Sequence, residues 1–158
     1  MKTKALLFLL ACSLALNAVQ VSETVLKASA PVEDTTTMAV LDSLNRALEW
    51  ETFTQALAWV ESRWDDNAVG KKNDVGYLQI TPILVEDANR ICGQKEFTLE
   101  GRRNREESVR LFNVIMSEYN PGHDFHLALK IWNPYSKVSY HRAVMEKYRE
   151  LRENQTKV

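Results

Sequence analysis

The chain has 158 residues, enough for one domain with a core of its own and too few for two of ordinary size. Its 20 Lys and Arg nearly cancel its 21 Asp and Glu, for a formal net charge of -1. No basic run is interleaved with aromatics, so a nucleic-acid partner is not expected.

The chain opens on MKTKALLFLLACSLALNAVQ: two lysines, an apolar run from Ala5 to Leu16, then small and polar residues. This layout predicts a secretory signal over residues 1–18, cut after Ala18, and hence an exported protein of the periplasm or cell envelope. The run is shorter than the roughly 20 residues a membrane-spanning helix needs. A second reading stays open, because Leu9 to Cys12 reads LLAC and resembles a bacterial lipobox. There Cys12 would carry the lipid, and the membrane would become a partner. The apolar run continues well past Cys12, which favours the soluble form, since acyl chains need no further apolar segment for anchoring. Cys92 is then the sole downstream cysteine, so no disulfide framework can form within one mature chain.

Residues 19–37 lack a helical period and are rich in Ser, Thr and Ala, which predicts a flexible linker. Residues 38–158 form the expected domain. Val40, Leu41, Leu44, Ala47 and Leu48 recur at three- and four-residue steps and predict a helix. Thr52 to Gln55 has capping-box spacing ahead of a second one, on which Phe53, Ala56, Leu57 and Val60 make an apolar stripe. VGYLQI reads as a short strand with Tyr77 and Gln79 on one face. Thr81-Pro82 opens the next helix and Gly93 closes it. A further helix runs from Asn104 to Tyr119, Asp124 caps FHLALKIWN, and Tyr140, Val144, Tyr148 and Leu151 trace the inner stripe of a last helix. The fold class is therefore mainly α with at most one small β-hairpin.

Two features bear on chemistry. His123, Asp124, His126 and His141 carry potential metal donors, but no Cys or Glu completes a ligand set at a motif spacing, and Asp124 is better used as a helix cap. No metal is expected. Glu61 is the second feature: it stands where the apolar stripe ends and is followed at once by Ser62. Such an acid is either a solvated helix-end residue or a proton donor.

Glu61-Ser62, the loop Ala68-Val69-Gly70, Gly76-Tyr77-Leu78-Gln79-Ile80 and Pro82 together resemble the lysozyme-like lytic transglycosylases of the soluble (SLT) type, with matching spacing and no gap. NREESVRLF and ALKIWNPYSKVSYHRAV resemble two later blocks of that family more loosely. Trp132 stands where the family usually has Tyr, Pro134 and Tyr135 replace small residues, and Ser108 replaces a Gly. The resemblance covers residues 48–148 and implies a lysozyme-like helical domain acting on peptidoglycan glycan strands, with no cofactor.

It also explains a lone acid. The leaving oxygen of a glycosidic bond must be protonated as the bond breaks, so the acid has to keep its proton near neutral pH, as partial burial achieves. Phe53, Leu57, Val60 and Trp64 are the expected apolar surroundings. Most glycosidases need a second carboxylate. The resemblance implies a route without one, in which the substrate's N-acetyl group stabilises the cation and the same Glu then deprotonates the muramic acid 6-hydroxyl to leave a 1,6-anhydro end. It implies Glu61 as acid and base, Ser62 as an orienting residue, Gln79 as a partner of sugar or acetamido groups, and Tyr140 close to the carboxylate. Trp132 and Asn133 fall on the segment lining the glycan cleft. Two other functions remain open: a goose-type hydrolytic lysozyme using Asp65, Asp66 or Asp74, and an inactive peptidoglycan-binding module. Wall remodelling, assembly of a cell-envelope machine and antagonism would all use the same bond cleavage.

Overall fold

The computed structural model describes residues 33–157. Residues 1–18 and most of the expected linker lie outside that range. The described residues form five α-helices: α1 (Glu33–Ser62), α2 (Pro82–Cys92), α3 (Arg105–Tyr119), α4 (Phe125–Trp132) and α5 (Val138–Gln155), with one 3-10 turn at Gly101–Arg103. Among them no strand is present, only isolated bridges Val69 to Val75 and Val75 to Ile80. The mainly α, lysozyme-like expectation holds.

Two of the expected boundaries change. α1 already includes residues 33–37, which the sequence reading placed in the linker. It also runs through the expected junction between two helices. Thr52 is fully buried and donates its hydroxyl back to Leu48 O at 2.7 Å, a bond made inside a helix and not at its start. With no Gly or Pro between Met38 and Ser62, nothing interrupts the helix. By its contacts the chain divides into two units, Met1–Asn45 and Arg46–Val158. In the described part of the first, Met38, Val40, Leu41 and Leu44 are exposed.

The second unit holds the core. α1 contributes Trp50, Phe53, Ala56 and Leu57, α3 Leu111, Phe112, Ile115 and Met116, α4 Ala128 and Leu129, and α5 Val144. Phe53 lies parallel to Phe125 at 4.4 Å, and Trp50 stacks on Phe53, Phe112 and His123. The helix starts follow local chemistry. Thr81 caps α2 with Pro82 in its first turn, Asn104 accepts from Glu107 N, and Asp124 accepts from Leu127 N at 2.6 Å. Gly93, at φ 69°, ends α2.

The segment 75–80 is the largest departure from expectation. It is a tight turn closed by Val75 N to Ile80 O at 3.1 Å and Ile80 N to Val75 O at 3.0 Å. Tyr77, Leu78 and Ile80 are all buried, so the alternation of a strand is lost, and Gln79 takes a left-handed φ of 50°. What holds the turn comes from elsewhere in the chain. Buried Arg102 donates to Asn73 O at 2.7 Å, Ile80 O at 3.0 Å and Leu99 O at 2.8 Å. Ser108, which replaces a family glycine, is buried and donates to Arg102 O at 2.9 Å, so its hydroxyl is satisfied.

Candidate active site

α1 ends because Arg63 and Trp64 turn left-handed, at φ 59° and 66°. Glu61 therefore sits in the last turn, where it lines a cleft of about 680 Å³ with Asp74, Gln79, Leu84, Ile131 and Trp132. Burial dominates the titration of Glu61 and pushes its carboxyl from an ordinary 4.5 up to about 7. The hydrogen bond from Tyr140 works the other way, and the nearby charge of Asp74 raises the value further. Tyr140 donates its phenolic O–H to Glu61 Oε1. Burial pushes the Tyr140 phenol up, and the charge and hydrogen bond of Glu61 act in the same direction, so Tyr140 stays a donor at neutral pH.

The other sequence-predicted residues take different stations. Ser62 is not among the residues lining the cleft; its hydroxyl donates to Tyr77 O at 2.8 Å and Ala58 O at 3.2 Å, tying the end of α1 to the 75–80 turn. Gln79 lines the cleft but spends its amide N–H groups on Gly76 O at 3.0 Å and Ala68 O at 3.3 Å. Its Oε1 is the atom left for a ligand donor. Asn133 lines the cleft as the C-cap of α4, its N–H on Leu129 O at 3.0 Å.

Trp132 also lines the cleft, but it is built into the core: 8% exposed, edge-on to Phe112 at 5.0 Å, its indole N–H donated to Leu78 O at 3.2 Å. A face-to-face stack of this indole on a sugar is not open in this packing. Phe53 and Leu57 are fully buried in the core behind the site. Trp64 lines a separate cavity of about 440 Å³ with Trp50, Tyr77 and Arg105, and its N–H donates to Gln55 O at 2.8 Å. Leu84 and Ile131, part of the aliphatic lining of the Glu61 cleft, gave no signal in the sequence, since they are ordinary helix residues on α2 and α4.

Of the three aspartates, Asp65 accepts from Asn67 N at 2.8 Å and Asp66 pairs with Arg105 at 3.0 Å. Asp74 is the one that lines the cleft. Asp124 caps α4, His123 stacks on Trp50, and His141 Nε2 meets Ser136 Oγ at 2.9 Å.

One carboxyl that burial lets keep a proton near neutral pH, open to a cleft and held by a phenol, is the equipment of a proton donor to a leaving oxygen, and the scaffold around it is lysozyme-like. The chain belongs to the family of the Transglycosylase SLT domain, whose family model matches residues 42–133. This is a family of peptidoglycan transglycosylases. Comparison with curated proteins and with solved structures gives no match. The match ends at Asn133, so Tyr140 stands beyond it, and its hydrogen bond is what places it at the acid in the structure.

Because the Tyr140 bond favours the ionised carboxyl, Tyr140→Phe is expected to raise the pKa of Glu61 further. The alkaline limb of the pH–rate profile on peptidoglycan should move to higher pH, and the maximal rate should fall about tenfold to a hundredfold, the worth of a hydrogen bond to a charged group. An unchanged limb would show that the phenol does not act on the acid.

Proposed function

We propose that the protein is an exported lytic transglycosylase that cleaves the MurNAc-GlcNAc bond of peptidoglycan and leaves a 1,6-anhydroMurNAc end. The observation that carries this reading is Glu61, its carboxyl raised to about 7 by burial, in a cleft it lines with Gln79, Trp132 and Asn133. In the first step Glu61 gives its proton to the bridging oxygen as the C1–O bond breaks, and the substrate's N-acetyl group supports the positive charge at C1. The carboxylate so formed is steadied by the Tyr140 hydroxyl. In the second step it takes the proton of the MurNAc 6-hydroxyl, whose oxygen closes on C1. The acid is regenerated, and no water is consumed.

Digestion of purified sacculi followed by mass analysis of the muropeptides tests the reading. Anhydro products are expected; products heavier by one water, found alone, would replace it by hydrolysis. That second reading has one observation in its favour, since Asp74 lines the same cleft and its charge reaches Glu61. Asp74 also accepts Lys72 N–H at 2.8 Å, which directs one oxygen into its own loop.

Export rests on the sequence of residues 1–18. The N-terminus of the protein recovered from its host tests it: Val19 for the soluble form, an acylated Cys12 for the anchored one, and an intact Met1 against both.

A further inference from the structure

Tyr135 is 93% exposed, yet it lines the Glu61 cleft. A lone exposed aromatic needs no explanation on an ordinary surface. This one sits on a backbone fixed on both sides. Asn133 to Ser136 is a turn closed by Ser136 N to Asn133 O at 3.0 Å, with Pro134 locking φ just before the tyrosine. The turn is pinned at one end by Asn133 N to Leu129 O and at the other by Ser136 Oγ to His141 Nε2 at 2.9 Å. It joins Trp132, anchored on Leu78 O, to α5, which carries Tyr140 to Glu61. The position of the ring's Cα is therefore tied to the acid, while the ring itself is spent on no internal packing.

The cleft is divided in character. Tyr135, Ile83 and Ile131 give it aromatic and aliphatic surface, with Ile83 also 74% exposed, whereas Lys71, Lys72 and Gln79 give it polar groups. A pyranose ring is divided likewise, with C–H bonds on its face and hydroxyl and acetamido groups around its edge. Polarised C–H groups meet the negative face of a phenol ring favourably, and a tyrosine orders at low entropic cost. Trp132, the aromatic that sequence pointed to, is packed edge-on into the core and leaves that role unfilled.

We propose that Tyr135 is the sugar-stacking platform of this cleft, taking the face of an N-acetylhexosamine unit of the glycan strand while Lys71, Lys72 and Gln79 face its polar edge. The proposal rests on the reading of the cleft as a glycan site, but not on cleavage. The test titrates an N-acetylglucosamine oligomer into the full chain carrying Glu61→Gln, which separates binding from turnover, and then into the same protein with Tyr135→Ala or Tyr135→Phe added. Tyr135→Ala is expected to weaken binding about threefold to tenfold, the scale of one aromatic contact, with unchanged thermal unfolding because the side chain is exposed. Tyr135→Phe, which keeps the ring, is expected to stay near the parent. Equal affinity in Tyr135→Ala overturns the proposal, as does a loss as large in Tyr135→Phe or no oligomer binding to the Glu61→Gln protein. Should sacculi go undigested while oligomer binding depends on the Tyr135 ring, the catalytic reading falls and the platform stands.

Discussion

Glu61→Gln is expected to lower the rate of sacculus digestion about a thousandfold or more, because it removes the proton that the leaving oxygen takes in the proposed step while nearly preserving shape. Gln still offers an oxygen to the Tyr140 hydroxyl, so the local packing should survive. Stability supplies the control, and its sign follows from burial. The folded chain holds the Glu61 proton up to about 7, against an ordinary 4.5, so ionising this group costs stability. That cost is absent below about pH 4.5, grows as pH rises, and is complete above about pH 7, where it amounts to on the order of 3 kcal/mol. The Gln variant carries no such cost. It should be more stable than the parent at about pH 8 by chemical denaturation and equal to it at about pH 4. A variant that loses activity together with stability at both pH values would point to misfolding and not to chemistry.

Gly76→Ala carries the largest expected loss of stability, about 3 to 5 kcal/mol. Gly76 holds φ 83°, and a Cβ there would stand 1.9 Å from Arg102 O. The left-handed backbone alone costs an alanine roughly 1–2 kcal/mol. The clash adds to it, because its partner is backbone: Arg102 is held by three carbonyls and its own carbonyl by Ser108. The turn would have to shift, taking with it the Gly76 O that accepts from Gln79. Denaturant titration reads the loss directly. A change below about 1 kcal/mol would mean that the 75–80 turn is not locked against Arg102.

How much of this could be read from the sequence depends on the range of the interactions. The caps at Thr81 and Asp124 were legible because a cap is written in three or four adjacent residues. The 75–80 turn was not: VGYLQI alternates like a strand, and what folds it otherwise is an arginine 22 residues past Ile80. Thr52 had capping-box spacing, but its buried hydroxyl served the helix already under way. At the site, Glu61 stood out at the end of an apolar stripe, and its role, like those of Gln79 and Tyr140, came from the resemblance. Tyr135 escaped because nothing in one sequence distinguishes a surface tyrosine from a cleft tyrosine. Trp132 lines the same cavity as Glu61, yet its role as a core residue depends on Phe112 and Leu78, both distant in the chain.

Burial is what lets Glu61 hold a proton into the neutral range. Side-chain carboxyl NMR, following the Glu61 resonance through a pH titration with Glu61→Gln as the assignment control, measures this directly. A midpoint at about 7 is the predicted result, moving higher in Tyr140→Phe. A midpoint near the ordinary 4.5 would leave Glu61 ionised at neutral pH, unable to protonate the leaving oxygen, and would contradict the proposed mechanism.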